Sequence, residues 1–262
     1  MTTRIGLVGG SGALGGALSE ALLQQKPFAD LELWISNRSG AAPELASHKN
    51  VNVTSDNQQL VAACDIVILS VPPAQFKALE IEASGKLVMS VMAGITIDDI
   101  AKATGATRIV RAMSSPAAAK GLAYSPWVAN AEVTPEDRAV VYKIFSAAGK
   151  TDELDDEAHL DHFTAMTGPV PGFVAYYAQC MVDHAVKQGI APDIADRAVR
   201  QLFLASGRML AEEAATPAEQ VQAMVDYAGT TAAGLTNMIE SDLSEAISEG
   251  LLAAAEKAKK MS

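Results

Sequence analysis

The sequence predicts an α/β domain followed by an all-helical one, and three observations predict it. Short apolar runs alternate with helical patterns up to about residue 150. A glycine-rich turn joins the first of those runs to the first helix, and strand patterns vanish after about residue 155. Apolar runs without polar alternation are what a sheet covered on both faces requires, which makes the first part doubly wound. The expected division is 1–152 and 153–262.

The first strand, Ile5–Val8, enters the turn Gly9-Gly10-Ser11-Gly12-Ala13-Leu14-Gly15. Gly10, Gly12 and Gly15 fit G-x-G-x-x-G spacing, and an amphipathic helix with Leu14, Leu18 and Leu22 on one face follows. In that spacing the first glycine permits a tight turn, the second lets backbone approach a pyrophosphate, and the third lets the helix pack close to the strand. The helix N-terminus adds free N–H groups and partial positive charge. The first domain is therefore expected to be a Rossmann-type dinucleotide-binding domain, with cofactor contacts from Gly9, Gly10, Ser11, Gly12, Ala13 and Leu14.

The second strand, Leu31–Ile35, ends in Ser36-Asn37-Arg38-Ser39. An NAD-binding unit places Asp or Glu at this strand end for the ribose 2′-OH. Here no carboxylate stands; hydroxyls, an amide and a guanidinium suit a 2′-phosphate instead. Asn37, Arg38 and Ser39 are expected to select NADPH, with NADH the alternative. A plain polar turn with a surface arginine is the non-binding reading.

Further strands are expected at Asn50–Val53, Asp65–Val71, Leu87–Val91 and Thr107–Met113, with helices at Ile97–Thr104 and Pro135–Ala148. Ligands of open α/β sheets bind at the carboxyl ends of the strands. Ser70, Val71 and Pro72, then Ala93 and Gly94, then Met113, Ser114 and Ser115 should therefore line the nicotinamide side of one cleft. Ordinary turn chemistry is the competing reading, since proline and glycine punctuate turns anyway.

In the second half, Pro171–Lys187 reads as a helix closed by Gly189, and another runs from Pro192 through Phe203 and Leu210. Thr216-Pro217-Ala218-Glu219 is a capping box with proline at the first helical position. The last helix, from about Leu243, ends in Lys257, Lys259 and Lys260, well placed for its dipole. Between them lies Asp226-Tyr227-Ala228-Gly229-Thr230-Thr231-Ala232-Ala233-Gly234-Leu235. A glycine and two threonines open a helix there, and their N–H groups and hydroxyls could hold an anionic or imine-bearing substrate; a threonine N-cap without ligand is the alternative. Helical domains of this kind often bury one face against a partner subunit, a monomeric helical cap being the other option.

Composition sets limits. The chain has 262 residues, 49% hydrophobic, with a net charge of −11. That charge argues against a nucleic-acid partner, which needs a basic face. Cys64 and Cys180 stand far apart without metal-ligand spacing, so no disulfide framework or zinc site is expected. The absence of a signal-peptide pattern and of a long apolar run predicts a soluble, cytoplasmic protein with no membrane partner. His159 and His162 lie one helical turn apart, but without a third ligand they read as part of a solvated acidic face. Asp152, Glu153, Asp155, Asp156 and Glu157 read as a solvated link.

These residues resemble the pyrroline-5-carboxylate reductase family along nearly the whole chain. The resemblance rests on the N-terminal glycine turn, on Ser36–Ser39, on Cys64–Val71, on Ala93-Gly94-Ile95-Thr96, and above all on Ala228–Leu235, close to the family's Gly-Gly-Thr-Thr-x-Ala-Gly-Leu. It implies a dinucleotide-binding domain followed by a helical domain that interlocks in a dimer or higher homo-oligomer through the C-terminal helices. It implies reduction of a small imine, Δ1-pyrroline-5-carboxylate, to L-proline with NAD(P)H, in a site between one subunit's nicotinamide and the helical loop near the dimer interface. Thr231 matches the threonine that holds the ring nitrogen, and Gly229 and Thr230 the backbone cradle for the carboxylate.

Several positions depart from the family pattern. Asp226-Tyr227-Ala228 stands in place of Ser-Pro-Gly, Met113-Ser114-Ser115-Pro116 is one residue short of Met-Pro-Asn-Thr-Pro, Pro72 replaces a lysine, and Thr167-Gly168-Pro169-Val170-Pro171 replaces Ser-Gly-Ser-Gly-Pro. With Thr231 orienting the nitrogen, a buried Asp226 or Tyr227 could supply or relay the proton. The departures cluster at the substrate side, which leaves three alternatives open: an imine reductase for another imine, a reductase using another hydride carrier such as a deazaflavin, or a non-catalytic nucleotide-binding regulatory protein.

Overall fold

Every residue of the strand Ile66–Leu69 is buried, and its side chains alternate between two separate apolar clusters. Ile66 and Ile68 join Ile5, Leu7, Leu33 and Ile35 on one face, while Val67 and Leu69 join Val8, Val88 and Ile109 on the other. Two-sided burial is why these strands are written as unbroken apolar runs. Each fully buried aliphatic side chain contributes about 1.5–3 kcal/mol by leaving water.

The computed structural model describes residues 2–168 and 171–261. Strands β1 (Thr3–Val8), β2 (Leu31–Ser36), β3 (Val51–Thr54), β4 (Ile66–Leu69), β5 (Leu87–Ser90) and β6 (Arg108–Ala112) pair in parallel in the order β3-β2-β1-β4-β5-β6. Two short strands, β7 (Ala123–Tyr124) and β8 (Trp127–Ala129), follow, and β8 adds to β6 antiparallel. The partner of β7 is β9 (Gly149–Lys150). The chain order reverses between β1 and β4, the point where such sheets bind ligands beyond their carboxyl ends.

Helices α1 (Ala13–Gln25) and α5 (Pro135–Ala148) cover the first face through Leu18, Leu22, Ile144 and Phe145. Helices α2 (Asn57–Ala63), α3 (Pro73–Phe76) and α4 (Ile97–Thr104) cover the second through Leu60, Phe76 and Ile100. Both α4 and α5 start in reciprocal capping boxes, Thr96 with Asp99 and Thr134 with Asp137, each satisfying amides that the helix leaves unpaired. Helix α6 (His159–Met166) follows the acidic link.

The chain divides into two compact units, one comprising Met1–Pro169 with Leu251–Ser262 and the other Val170–Gly250. The boundary thus falls after α6, whereas the division expected from sequence falls after residue 152. Within the second unit, α7 (Gly172–Lys187) packs on α8 (Pro192–Glu212), with Tyr177 edge-on to Phe203 at 5.9 Å. Helix α9 (Pro217–Asp226) leads into α10 (Thr230–Ile239), and α11 (Leu243–Lys259) closes the chain. The box predicted at Thr216 forms, its hydroxyl and amide bonded to Glu219. Neither α7 nor α9 buries a residue, and Val174, Tyr176, Leu202 and Leu204 are all exposed.

The sequence runs overshoot the strands: β4, β5 and β6 stop at Leu69, Ser90 and Ala112, and the apolar residues beyond them belong to turns. The link is also not merely solvated. Asp152 accepts from the Tyr124 hydroxyl, Glu153 pairs with Arg138, and Glu157 pairs with Arg111. Asp161, between His159 and His162 on the face read as solvated, is buried against Arg111. Pro169 and Val170 of the altered Thr167–Pro171 run lie outside the described residues. Among the described residues no helix is long and apolar enough to cross a membrane.

Candidate active site

The turn after β1 is folded by backbone hydrogen bonds. The Gly9 amide donates to the Ser36 carbonyl at 2.9 Å, and the Gly12 amide to the Gly9 carbonyl at 3.0 Å. Gly9 takes the left-handed conformation, φ 81°, so the tight turn falls there and not at Gly10. Gly12 is the N-cap of α1, without a side-chain cap, and no acidic residue occupies the first turn. The first amides of α1 thus meet solvent beside exposed Ser11, Gly12 and Ala13, an arrangement suited to a phosphate. Gly10 is buried, and the Leu14 side chain leans on the core, so only main-chain groups of these two can serve a cofactor.

Asn37 locks the β2 end to this turn. Its Nδ2 donates to Ser11 Oγ at 2.9 Å and to the Ala41 carbonyl at 2.8 Å, while its Oδ1 accepts from Ser39 Oγ at 2.9 Å. Asn37 and Ser39 are therefore largely engaged with their own loop. Arg38 is exposed, and the ion pairs among the described residues leave it out. Ser36 is buried, its hydroxyl without a partner. A free guanidinium, no carboxylate at 36–39 and an uncapped helix start fit a dinucleotide bearing a 2′-phosphate.

The loop after β4 borders the same turn. A Cβ on Gly9 would stand 2.6 Å from the Ser70 carbonyl oxygen and 3.0 Å from Val71 Cγ1. Pro72 is exposed at the start of α3, Ala93 is half-buried, and Gly94 is buried with φ 75°. Met113 is half-buried, with Thr164 Oγ1 at 3.3 Å from its sulfur.

The expectation that Ser114 and Ser115 line the cleft needs correction at the level of side chains. Ser114 Oγ shares a buried 2.9 Å hydrogen bond with Ser125 Oγ, and Ser115 Oγ is enclosed without a partner. Neither hydroxyl reaches open space, so only their main chain can meet a substrate. Cys64 is chemically quiet: burial, then the charge of Asp65, pushes its thiol up to about 12.

In the helical unit, Gly229 caps α10 without a side-chain acceptor, and no acidic residue lies in the first turn. The cap is thus Gly229 rather than a threonine. Gly229 is half-buried, and Thr230 and Thr231 are both exposed. The Tyr227 ring is 83% exposed and lies beside Gly229, whose Cβ, if present, would be 3.3 Å from Tyr227 Cδ1. Asp226 is exposed and accepts from Gln222 Nε2 at 2.8 Å. The burial expected to make it a proton donor is absent from this chain's own fold. Ala228 holds φ 56°, a conformation alanine rarely adopts.

Sequence reasoning missed Arg111, Glu157 and Asp161. Arg111 NH1 lies 3.1 Å from Glu157 Oε1, and NH2 lies 2.8 Å from Asp161 Oδ1. The available signal was an arginine after two apolar residues near the end of a strand, which a buried position must pair.

Residues 157–261 match the family described as pyrroline-5-carboxylate reductase dimerisation, and residues 4–94 match that described as NADP oxidoreductase, coenzyme F420-dependent. The chain is 27% identical to the pyrroline-5-carboxylate reductase of Synechocystis, over 100% of this chain and 99% of the relative. It resembles the 1-pyrroline-5-carboxylate reductase structure from Streptococcus pyogenes with a TM-score of 0.83 and 26% identity, covering 99% of each chain. The NADP-bound pyrroline carboxylate reductase of Plasmodium falciparum shares the fold, with a TM-score of 0.80 and 24% identity over 99% of this chain and 98% of that one. The matches on both halves, with similarity to these reductases along the whole chain, support membership of the pyrroline-5-carboxylate reductase family.

Proposed function

We propose that this protein is an NADPH-dependent reductase that converts the cyclic imine Δ1-pyrroline-5-carboxylate to L-proline, in proline biosynthesis, as a homodimer or larger homo-oligomer. One observation carries the reading. A single chain holds an uncapped glycine turn with Arg38 free beside it, and an uncapped Gly229-Thr230-Thr231 turn opening α10.

NADPH, when bound, supplies the hydride for the imine carbon. The amides opening α1 hold its pyrophosphate and Arg38 its 2′-phosphate. Ser70, Val71, Pro72, Ala93 and Gly94 border the nicotinamide half, with Met113 and the Ser114–Ser115 main chain on the substrate side. The amides of Gly229 and Thr230 hold the substrate carboxylate, and the Thr231 hydroxyl orients the ring nitrogen, where the proton is delivered. Tyr227 carries an exposed hydroxyl two residues before Gly229 and is the donor candidate, whereas Asp226 is engaged with Gln222. The apolar residues on α7 and α8 support assembly through the 153–262 half.

Asp226, three residues before Gly229, favours a second reading: an imine without a carboxylate. A negative charge there repels a carboxylate and favours an iminium. NADPH oxidation with pyrroline-5-carboxylate and with carboxylate-free cyclic imines tests both. Turnover of the first supports the main reading, and turnover of only the second replaces it. Calorimetric binding of NADPH without turnover of either leaves a non-catalytic nucleotide-binding protein.

A further inference from the structure

Arg111 sits on β6 just before the turn that carries Met113, and its side chain is 5% exposed. Its guanidinium joins two carboxylates, Glu157 from the acidic link and Asp161 from α6. The same Glu157 Oε1 accepts the amide of Ile97 at 2.9 Å. Ile97 is the first residue of α4, directly after the Ala93–Thr96 turn. One turn beyond Asp161, Thr164 lies against the Met113 sulfur. A single cation therefore ties together the turn after β5 and the turn after β6.

This arrangement is a poor device for stability alone. A buried ion cluster returns little over a well-packed apolar substitute, because desolvation offsets the attraction. It does fix geometry, since the planar fork of arginine serves two acceptors at once in a way an ammonium cannot. Small displacements of catalytic loops lower turnover far more than they lower binding.

We propose that Arg111 is a positioning residue: through Glu157 and Asp161 it holds the turn after β5 and the turn after β6 in the register that hydride transfer needs. The inference rests on the reductase reading for its kinetic consequence, but its mechanical part stands alone.

The test is Arg111→Lys in the full-length protein, with the better imine substrate. Expected are an NADPH dissociation constant within about threefold of wild type, since the α1 turn is untouched, and kcat lower by about tenfold or more. The deuterium isotope effect with NADPH deuterated at the transferred position should rise, as hydride transfer becomes rate-limiting. Hydrogen exchange should quicken at both turns, residues 93–97 and 112–115, together. An unchanged kcat, or a loss matched by an equal loss of folded protein, overturns the proposal. Should Arg111→Lys fail to fold, Glu157→Gln keeps the Asp161 pair, and the same combination of kcat, isotope effect and exchange is expected in milder form; unchanged exchange at 93–97 overturns it. If wild type turns over no imine, the functional reading fails separately, and exchange alone decides: coupled loosening of both turns upholds the tie, and loosening of one alone refutes it.

Discussion

A Cβ on Gly15 would stand 2.5 Å from the Gly9 carbonyl oxygen and 2.9 Å from Gly10 Cα. Both obstacles are backbone, so no rotamer change relieves them. Gly15→Ala must push α1 away from β1, at an expected cost of about 1–3 kcal/mol, and should displace the amides proposed to hold the pyrophosphate. Gly12 is roomier, with the Gly9 oxygen at 3.3 Å. Gly12→Ala should keep near-wild-type thermal stability and yet weaken NADPH binding. Equal melting temperatures for Gly15→Ala and wild type would disprove the packing argument.

The proposed role of Arg38 in choosing the coenzyme is open to a direct test. A charge-assisted hydrogen bond to a phosphate is worth about 1.5–3 kcal/mol, so Arg38→Ala should raise KM for NADPH by roughly 10- to 100-fold. KM for NADH should move by less than about threefold, because its ribose carries no phosphate for the guanidinium. Steady-state kinetics with both coenzymes decide it, and a parallel rise in the two values would refute the assignment.

What could be read from sequence was local. The glycine turn and the Thr216-Pro217-Ala218-Glu219 start are encoded within a few residues, and their geometry follows from short-range hydrogen bonds. Strand β8 escaped because three residues after Pro126 carry too little pattern to register. Arg111 and Asp161 lie 50 residues apart, so their pairing exists only once the sheet has formed. The same limit misled the reading of Glu157 as a solvated charge, and it hid the burial of Asp161 and of the Ser114 and Ser115 hydroxyls. At the Asp226 turn the residue types were legible, but their exposure was not.

Asp137 links stability to pH. Burial pushes its carboxyl up, but the Thr134 amide, the Arg108 guanidinium at 2.7 Å and the Thr134 hydroxyl outweigh this and hold it below its usual 3.8. A depressed folded value means that the stabilisation is present above the unfolded value and fades as pH falls through the folded one. Asp137→Asn should therefore cost about 2 kcal/mol at neutral pH. The gap to wild type should shrink below about pH 4. Urea unfolding across that range measures the gap, and a constant difference would exclude the ionised carboxylate as its source.

The second unit exposes Tyr176 at 69%, Val174 at 56% and Leu204 at 52%. Helices with apolar residues facing water are satisfied by burial against another subunit. Leu204→Asp and Tyr176→Asp should shift the protein from oligomer to monomer in sedimentation velocity, with coenzyme binding by the first unit retained. A wild-type protein that sediments as a monomer at micromolar concentration would contradict this.

Ala228 carries a strain that its neighbours do not. At φ 56° an alanine costs about 1–2 kcal/mol relative to its right-handed form. Glycine removes that cost but adds about 0.5–1 kcal/mol of unfolded-state entropy. Ala228→Gly should therefore leave a net gain of up to about 1 kcal/mol and raise the melting temperature by a few degrees. Ala228→Val, with a branched Cβ in the same conformation, should lose more than that. Because the residue precedes the Gly229 cap, relief of strain should also loosen the turn. Ala228→Gly is then expected to raise KM for the imine while leaving KM for NADPH alone, and a rise in both would place the strain outside the substrate side.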